Sequence, residues 1–213
     1  SFEVANHEKL LYWWSGNTFG KHLYIGHAAH KVGNNKDEAW LDAEEIPKQI
    51  RLNRRNFSSL GSAYFSAQRI LENPLGLRDS INYYYKYPAL LPEISELSLK
   101  SYAQPSMGKP RFRKNAVKLT LSPNKVNKDQ PPAYYVIYRF EGAKPGDFED
   151  PRNIVGITPF NVNKRCVRFY DDTAEDGEIY TYVVTAVNRQ HSESTPSKPH
   201  TVKRDGNRVR NIR

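Results

Sequence analysis

An α/β half followed by an all-β half is the fold this sequence predicts, and three observations predict it. Two short runs of β-branched and aromatic residues alternate with helical patterns in the first part of the chain. A proline- and serine-rich stretch without periodicity then intervenes. After it, short alternating segments separated by turn residues recur to the end, the pattern of a β-sandwich. A length of 213 residues suits about two domains, each able to bury its own core. The divisions are residues 1–87, a linker at 88–110, a sandwich at 111–202 and a basic tail at 203–213.

From Phe2 to Trp14 the apolar positions Val4, Leu10, Leu11, Trp13 and Trp14 predict an amphipathic helix that ends near Gly16-Asn17 and packs on a sheet. Both tryptophans read as core or lid residues, with sugar stacking as the alternative. His22-Leu-Tyr-Ile-Gly-His-Ala-Ala-His30 is a continuous apolar run of strand length, which fits a parallel strand covered on both faces. Asp37 to Arg55 reads as an irregular lead-in and a helix: Glu44-Glu45 lies in its first turn, and Ile46, Ile50 and Leu52 form its inner stripe. Gly61-Ser-Ala-Tyr-Phe-Ser-Ala67 is the second strand. After the Asn73-Pro74 turn, Leu75 to Tyr85 forms another helix that stops before Pro88. Crossovers of that length between strands make the sheet parallel, either doubly wound or a barrel. Two strands close nothing and leave backbone edges bare, so sister strands belong elsewhere, or another molecule covers the edge in an edge-strand oligomer.

In the second half the predicted strands are Ala116–Leu121, Tyr134–Phe140, Asn153–Thr158, Cys166–Tyr170 and Ile179–Asn188, within a sandwich of about seven. The charge is lopsided. Residues 1–102 hold 12 Lys and Arg against 11 Asp and Glu, whereas residues 103–213 hold 20 against 12. Lys203 to Arg213 contributes five of those cations against Asp205. Such a tail could touch phosphate or anionic lipid; a frayed, solvated terminus, dispensable for folding, is the plainer reading.

Several classes are excluded. No run of about 18 apolar residues occurs, so no transmembrane segment is expected. Ser1-Phe-Glu-Val-Ala lacks the charged and apolar stretches of a signal peptide. The single cysteine, Cys166, forms no intramolecular disulfide and no cysteine-based zinc site. Nucleic-acid binding lacks a recognition helix, an aromatic RNP-like motif and a zinc site. There is no Gly-rich phosphate loop and no Gly-x-Ser-x-Gly elbow. Odd spacings set His27 apart from His22 and from His30 on a strand, which argues against a joint metal site. No cofactor is expected.

Tyr135-Val-Ile-Tyr-Arg139, Phe169-Tyr-Asp171 with Gly177, Tyr180-Thr-Tyr-Val-Val-Thr-Ala-Val-Asn188 and Glu193-Ser-Thr-Pro-Ser197 resemble strands C, E and F and the approach to strand G of a fibronectin type III domain. The resemblance implies that Tyr180 or Tyr182 is the corner tyrosine whose hydroxyl reaches an upstream backbone group. One departure is that Val117 to Ser122 offers Leu119 or Leu121 where that fold carries a core Trp. The wider set, His22-Leu-Tyr-Ile-Gly26, Glu45-Ile-Pro-Lys-Gln-Ile-Arg-Leu-Asn-Arg54, Gly61 to Ala67, Asn73-Pro-Leu-Gly-Leu77 and Tyr87-Pro-Ala-Leu90 followed by the fibronectin-like module, resembles the C-terminal end of the family-10-like glycosyl hydrolases found as bacterial exported lipoproteins. That resemblance implies a partial (β/α)8 barrel: its last two strands, seven and eight, with flanking helices, followed by the fibronectin type III-like β-sandwich. It also implies a location in the cell envelope or periplasm.

Glycosidases need two carboxylates, which a barrel presents from the C-terminal ends of its strands. Neither strand here ends in one, and Asp37, Glu38 and Asp42 read as solvated loop acids. No catalytic residue is therefore assigned. The expected contribution is a substrate-binding rim of Tyr24, His27, Trp40, Phe65 and Ser66, with Trp40 able to stack on a sugar ring. Core packing stays open for Tyr24 and Phe65. The expected partner is a polysaccharide or oligosaccharide bound through a complete parent barrel. The alternative is a non-catalytic carbohydrate- or protein-binding spacer of a cell-surface protein.

Overall fold

The computed structural model of the chain describes residues 6–34, 38–94, 104–124, 131–161, 163–164 and 166–212. The chain divides into two compact units, Ser1–Lys86 and Tyr87–Arg213. Val4, Asp37, Arg213 and the middle of the expected linker lie outside the described residues.

The first unit runs α1 (His7–Gly16), β1 (Leu23–His27), α2 (Glu45–Arg55), β2 (Ser59–Tyr64), α3 (Ala67–Glu72) and α4 (Leu77–Tyr84). The Asn6 side chain caps α1 by accepting from the backbone N–H groups of Glu8 and Lys9. Glu45 in the first turn of α2 and Arg54-Arg55 in its last both complement the helix dipole. β1 and β2 pair in parallel, with Tyr24 opposite Gly61 and His27 opposite Tyr64. Among the described residues this sheet has two strands. Its core gathers Ala29, Val32, Ile46, Ile50 and Leu77, with Trp40, Tyr64, Ile70, Ile81 and Tyr84 around them.

Three local expectations change. The first strand stops at His27, because Ala29–Lys31 tightens into a 3₁₀ turn. The second begins earlier, at Ser59, and Ala67 already belongs to a helix. Trp13 and Trp14 are not core residues: they stack edge to face on each other and stand 57% and 49% exposed.

The second unit is a sandwich of nine strands among the described residues: β3 (Pro105–Met107), β4 (Arg111–Arg113), β5 (Ala116–Pro123), β6 (Tyr134–Glu141), β7 (Ile154–Pro159), β8 (Val167–Asp171), β9 (Ile179–Val187), β10 (His200–Asp205) and β11 (Arg208–Ile212). One sheet runs β11-β10-β9-β6-β7; in the other, β3 and β4 both pair with β5, which also pairs with β8. Val117, Leu119 and Leu121 of the small sheet share a core with Tyr135, Ile137, Tyr182, Val184 and Val202 of the large one. The large sheet is also covered on its outer face, where Leu90 and Phe148 pack on Val136, Tyr138, Phe140 and Val183. That double burial explains why β9 reads as a nearly unbroken apolar run.

Polar groups finish the sandwich. The Tyr180 hydroxyl accepts the backbone N–H of Glu175 (3.1 Å), which makes Tyr180 the corner tyrosine. Tyr182 instead donates to the buried Asp171 carboxylate (2.7 Å), which also receives Arg139 (2.9 Å) and the Thr173 hydroxyl (2.7 Å). Ser194 and Ser197 accept the β9 N–H groups of Ala186 and Val184 through their hydroxyls (3.0 Å each), beside Pro196, which has no N–H to offer a ladder. At Gly156 the Phe169 ring comes so close that a Cβ would lie 2.3 Å from it, so only glycine fits.

The expected linker and tail are both partly folded. Leu90 packs on the large sheet, the Ile94 N–H donates to the Gln190 carbonyl (2.9 Å), and Pro105–Met107 is a strand, since proline is tolerated at a sheet edge. Residues 203–212 are not frayed. Lys203 pairs with Ile179 of β9, and β10 turns back through Gly206 into β11.

Candidate functional site

Strand alternation gives the β1–β2 pair two faces, and the chemistry divides between them. His27, Ser62 and Tyr64 face α2. Tyr24, Gly26, Gly61, Ala63 and Phe65 occupy the opposite face, where Tyr24 is 49% and Phe65 69% exposed. The Tyr24 ring lies across Gly61, where a Cβ would come within 2.9 Å of it. Phe65 meets the His30 ring edge to face at 5.3 Å and is joined to Ser66 by a cis peptide bond.

His27 is 2% exposed and held on every side. Nδ1–H donates to Gln49 Oε1 (2.9 Å), while Nε2 accepts from Asn53 Nδ2 (3.1 Å) and the Ser62 hydroxyl (3.0 Å). Gln49 passes the chain on by donating to Glu45 Oε1 (2.8 Å), and His7 Nε2 donates to Asn53 Oδ1 (3.1 Å). The ring is stacked between Tyr64 (4.8 Å) and His7 (5.7 Å). Burial pushes its pKa down, so the imidazole is neutral in the fold. This assignment removes His27 from the expected rim: its ring fastens the end of β1 to α2.

Trp40 sits in the 3₁₀ turn Glu38–Leu41, partly buried against the unit's core, with the Lys31 ammonium 5.6 Å from its ring centre. It borders a cleft of about 510 Å³ shared with His7, Lys31, Glu45, Lys48 and Gln49. A second cleft of about 360 Å³, lined by Leu10, Leu11, Trp14, Leu23 and Tyr24, runs between α1 and β1. Ser66 is half-buried at the start of α3. The structure therefore puts Tyr24 and Phe65 on one open face with Ser66 half-buried next in the chain, sets Trp40 in a cleft that adjoins that of Tyr24 at His7, Leu10 and Gly26, and buries His27. Sequence reasoning passed over Gln49 and Asn53; their spacing of four on a helix with buried Ile46 and Ile50 was the available signal.

The Asp42 carboxylate accepts the Glu44 N–H (2.9 Å) and serves the turn before α2. Among the described residues no three His, Cys, Asp or Glu side chains gather as a metal-holding group, and no helix is long and apolar enough to cross a membrane.

No family model matches the chain. It is 37% identical over 204 residues to the glycosyl hydrolase YngK of Bacillus subtilis (strain 168). The chain is thus related in sequence to a glycosyl hydrolase. The match takes in 94% of this chain but 38% of the relative's length. Among solved structures, the pectate lyase PelI from Erwinia chrysanthemi, in complex with tetragalacturonic acid, aligns over 46% of this chain and 28% of its own, at 21% identity and a TM-score of 0.35. An Fn3-like protein from Clostridium thermocellum aligns over 48% of this chain and 92% of its own, at 20% identity and a TM-score of 0.31.

Proposed function

We propose that this chain is the closing portion of a glycoside hydrolase-like protein acting on polysaccharide. Its first unit forms the last two βα units of a (β/α)8 barrel, and its second is a fibronectin type III-like sandwich appended to it. The observation that carries the reading is the two-faced β1–β2 pair: helices and an apolar core cover one side, while the other leaves Tyr24 and Phe65 bare. In a barrel that bare side is the interior, and the strand ends form the mouth where substrate binds. Similarity to a glycosyl hydrolase of greater length supports the same assignment.

In this reading the general acid and its partner carboxylate come from strands upstream, because β1 runs out into His27-Ala28 and β2 into Phe65-Ser66. Tyr24, Phe65 and Ser66 line the rim, Trp40 offers an aromatic face to a sugar ring, and His27 is a positioning residue. The parent is an exported lipoprotein of a bacterial cell envelope. The test compares this chain with one extended upstream through the missing strands, on a panel of polysaccharides. The extended chain releases reducing sugar and this chain does not; turnover by this chain alone, or none by the extended one on any substrate, overturns the reading.

A further inference from the structure

The outer face of the four-stranded sheet is built from cations. Core residues take the inward positions of β5 and β8, which leaves Lys118, Thr120, Arg168 and Tyr170 pointing outward, beside Arg111 and Arg113 of β4. Register sets Arg111 directly opposite Lys118, and Lys118 opposite Tyr170. Like charges placed opposite each other destabilise a sheet. Yet no acidic side chain occupies the outward positions of these strands, and among the described residues Arg111, Arg113, Lys118 and Arg208 form no ion pair.

Other cations nearby are already engaged. Arg210 pairs with Asp205 (2.5 Å), and Arg204 lies over the Phe112 ring (5.3 Å) while donating to the Ala174 carbonyl. The unengaged ones border two adjoining depressions. One, of about 360 Å³, lies between Lys109, Arg111, Lys118 and Thr120. The other, of about 390 Å³, continues past Arg111 and Arg113 to Asn207 and Arg208 of the β10–β11 hairpin.

We propose that this trough binds a polysaccharide carrying regularly spaced anionic groups. Arg111 and Lys118 hold one anionic group between them, relieving their repulsion, and Arg113, two residues along β4 on the same face, holds the next. Tyr170, in the same cross-strand row, offers its ring to a sugar face, with Lys114 5.5 Å from the ring centre. The anion site rests on the sheet face alone. The choice of a glycan over other polyanions rests on the carbohydrate reading above, and a single aromatic in the row suits one sugar better than the successive stacked bases of a nucleic-acid strand.

The test is affinity electrophoresis of the full chain in gels containing polygalacturonate, dextran sulfate or a neutral glucan, with a DNA duplex titrated separately. The chain is retarded by one or both anionic glycans and not by the neutral one, and added salt weakens the effect. The two anionic gels distinguish carboxylate from sulfate. Arg111→Gln/Lys118→Gln weakens retardation at least tenfold, Tyr170→Leu weakens it less, and the charge-matched control Lys144→Gln/Arg189→Gln, at two exposed cations away from the trough and from the Trp40 cleft, leaves it unchanged. Equal loss in the control, retention in Arg111→Gln/Lys118→Gln, tighter binding of DNA than of either glycan, or no retardation overturns the proposal. Unchanged melting of the variants excludes misfolding as the cause. Hydrolysis by the extended chain is a separate readout, so this proposal and the barrel reading fail independently.

Discussion

His27 carries the most consequential placement of any single residue. Its ring is stacked, buried and hydrogen-bonded through both nitrogens, so exchanging it for leucine removes one hydrogen-bond partner from each of Gln49 Oε1, Asn53 Nδ2 and the Ser62 hydroxyl. Leaving buried polar groups unsatisfied costs about 1–3 kcal/mol each, and His27→Leu lowers the stability of the first unit accordingly. The depressed pKa adds a pH dependence whose sign follows from proton binding. Below the ordinary imidazole value of 6.5 the unfolded chain takes up a proton that the folded His27 refuses, so stability is full above that pH and falls as pH drops toward the lowered folded value. All three tryptophans, Trp13, Trp14 and Trp40, belong to the first unit. Tryptophan fluorescence during urea unfolding therefore reports this unit, and the loss between neutral and mildly acidic pH is smaller in His27→Leu than in the parent. An identical slope in both would show that another group governs it.

At the scale of elements, the β10–β11 hairpin is the main revision. Residues 203–213 read as a solvated tail because five cations crowd eleven positions. The pairing of β10 with β9 depends on residues some 20 positions away, and no local pattern announces it. Deleting residues 203–213 removes half of β10 and all of β11, and exposes Val202, which is fully buried. The melting temperature falls by several degrees, since 1 kcal/mol moves a domain by about 4–8 °C at 60–100 residues and by about 2–4 °C at 150–250, and the second unit lies between these sizes. An unchanged melting temperature would return the segment to the status of a tail. The strands Ala116–Pro123, Tyr134–Glu141 and Ile179–Val187 lie within a residue or two of where alternation and β-branched content put them, because both signals are local. β3 and β4 escaped notice at three residues each, too short to show a period.

At the scale of the molecule, the first unit has one side that its described residues leave bare. In the extended protein of the proposed reading, that side becomes a substrate-lined interior. Phe65→Ala there lowers kcat/KM by about tenfold, the equivalent of 1.4 kcal/mol of lost stacking at the transition state. Tryptophan-monitored stability stays unchanged, since Phe65 is largely exposed. A variant with unaltered kinetics would remove Phe65 from the rim.

The sequence alone determined the order of the two halves, the parallel βα alternation, most of the sandwich strands and the presence of a corner tyrosine. The first three rest on periods of two or 3.6, or on turn residues read within a few positions, and the corner tyrosine is what the resemblance to a fibronectin type III domain implies. Tertiary structure decided which face of β1 is covered, and with it that His27 is buried while Tyr24 and Phe65 are bare. It also decided that Tyr180 rather than Tyr182 makes the corner, and that the cations of β4 and β5 stand opposite each other on one face of the small sheet. Alternation separates a strand's two faces without saying which meets a helix; that choice is made by Ile46, Ile50 and Leu77, which come from other elements and bury their apolar surface on one side only.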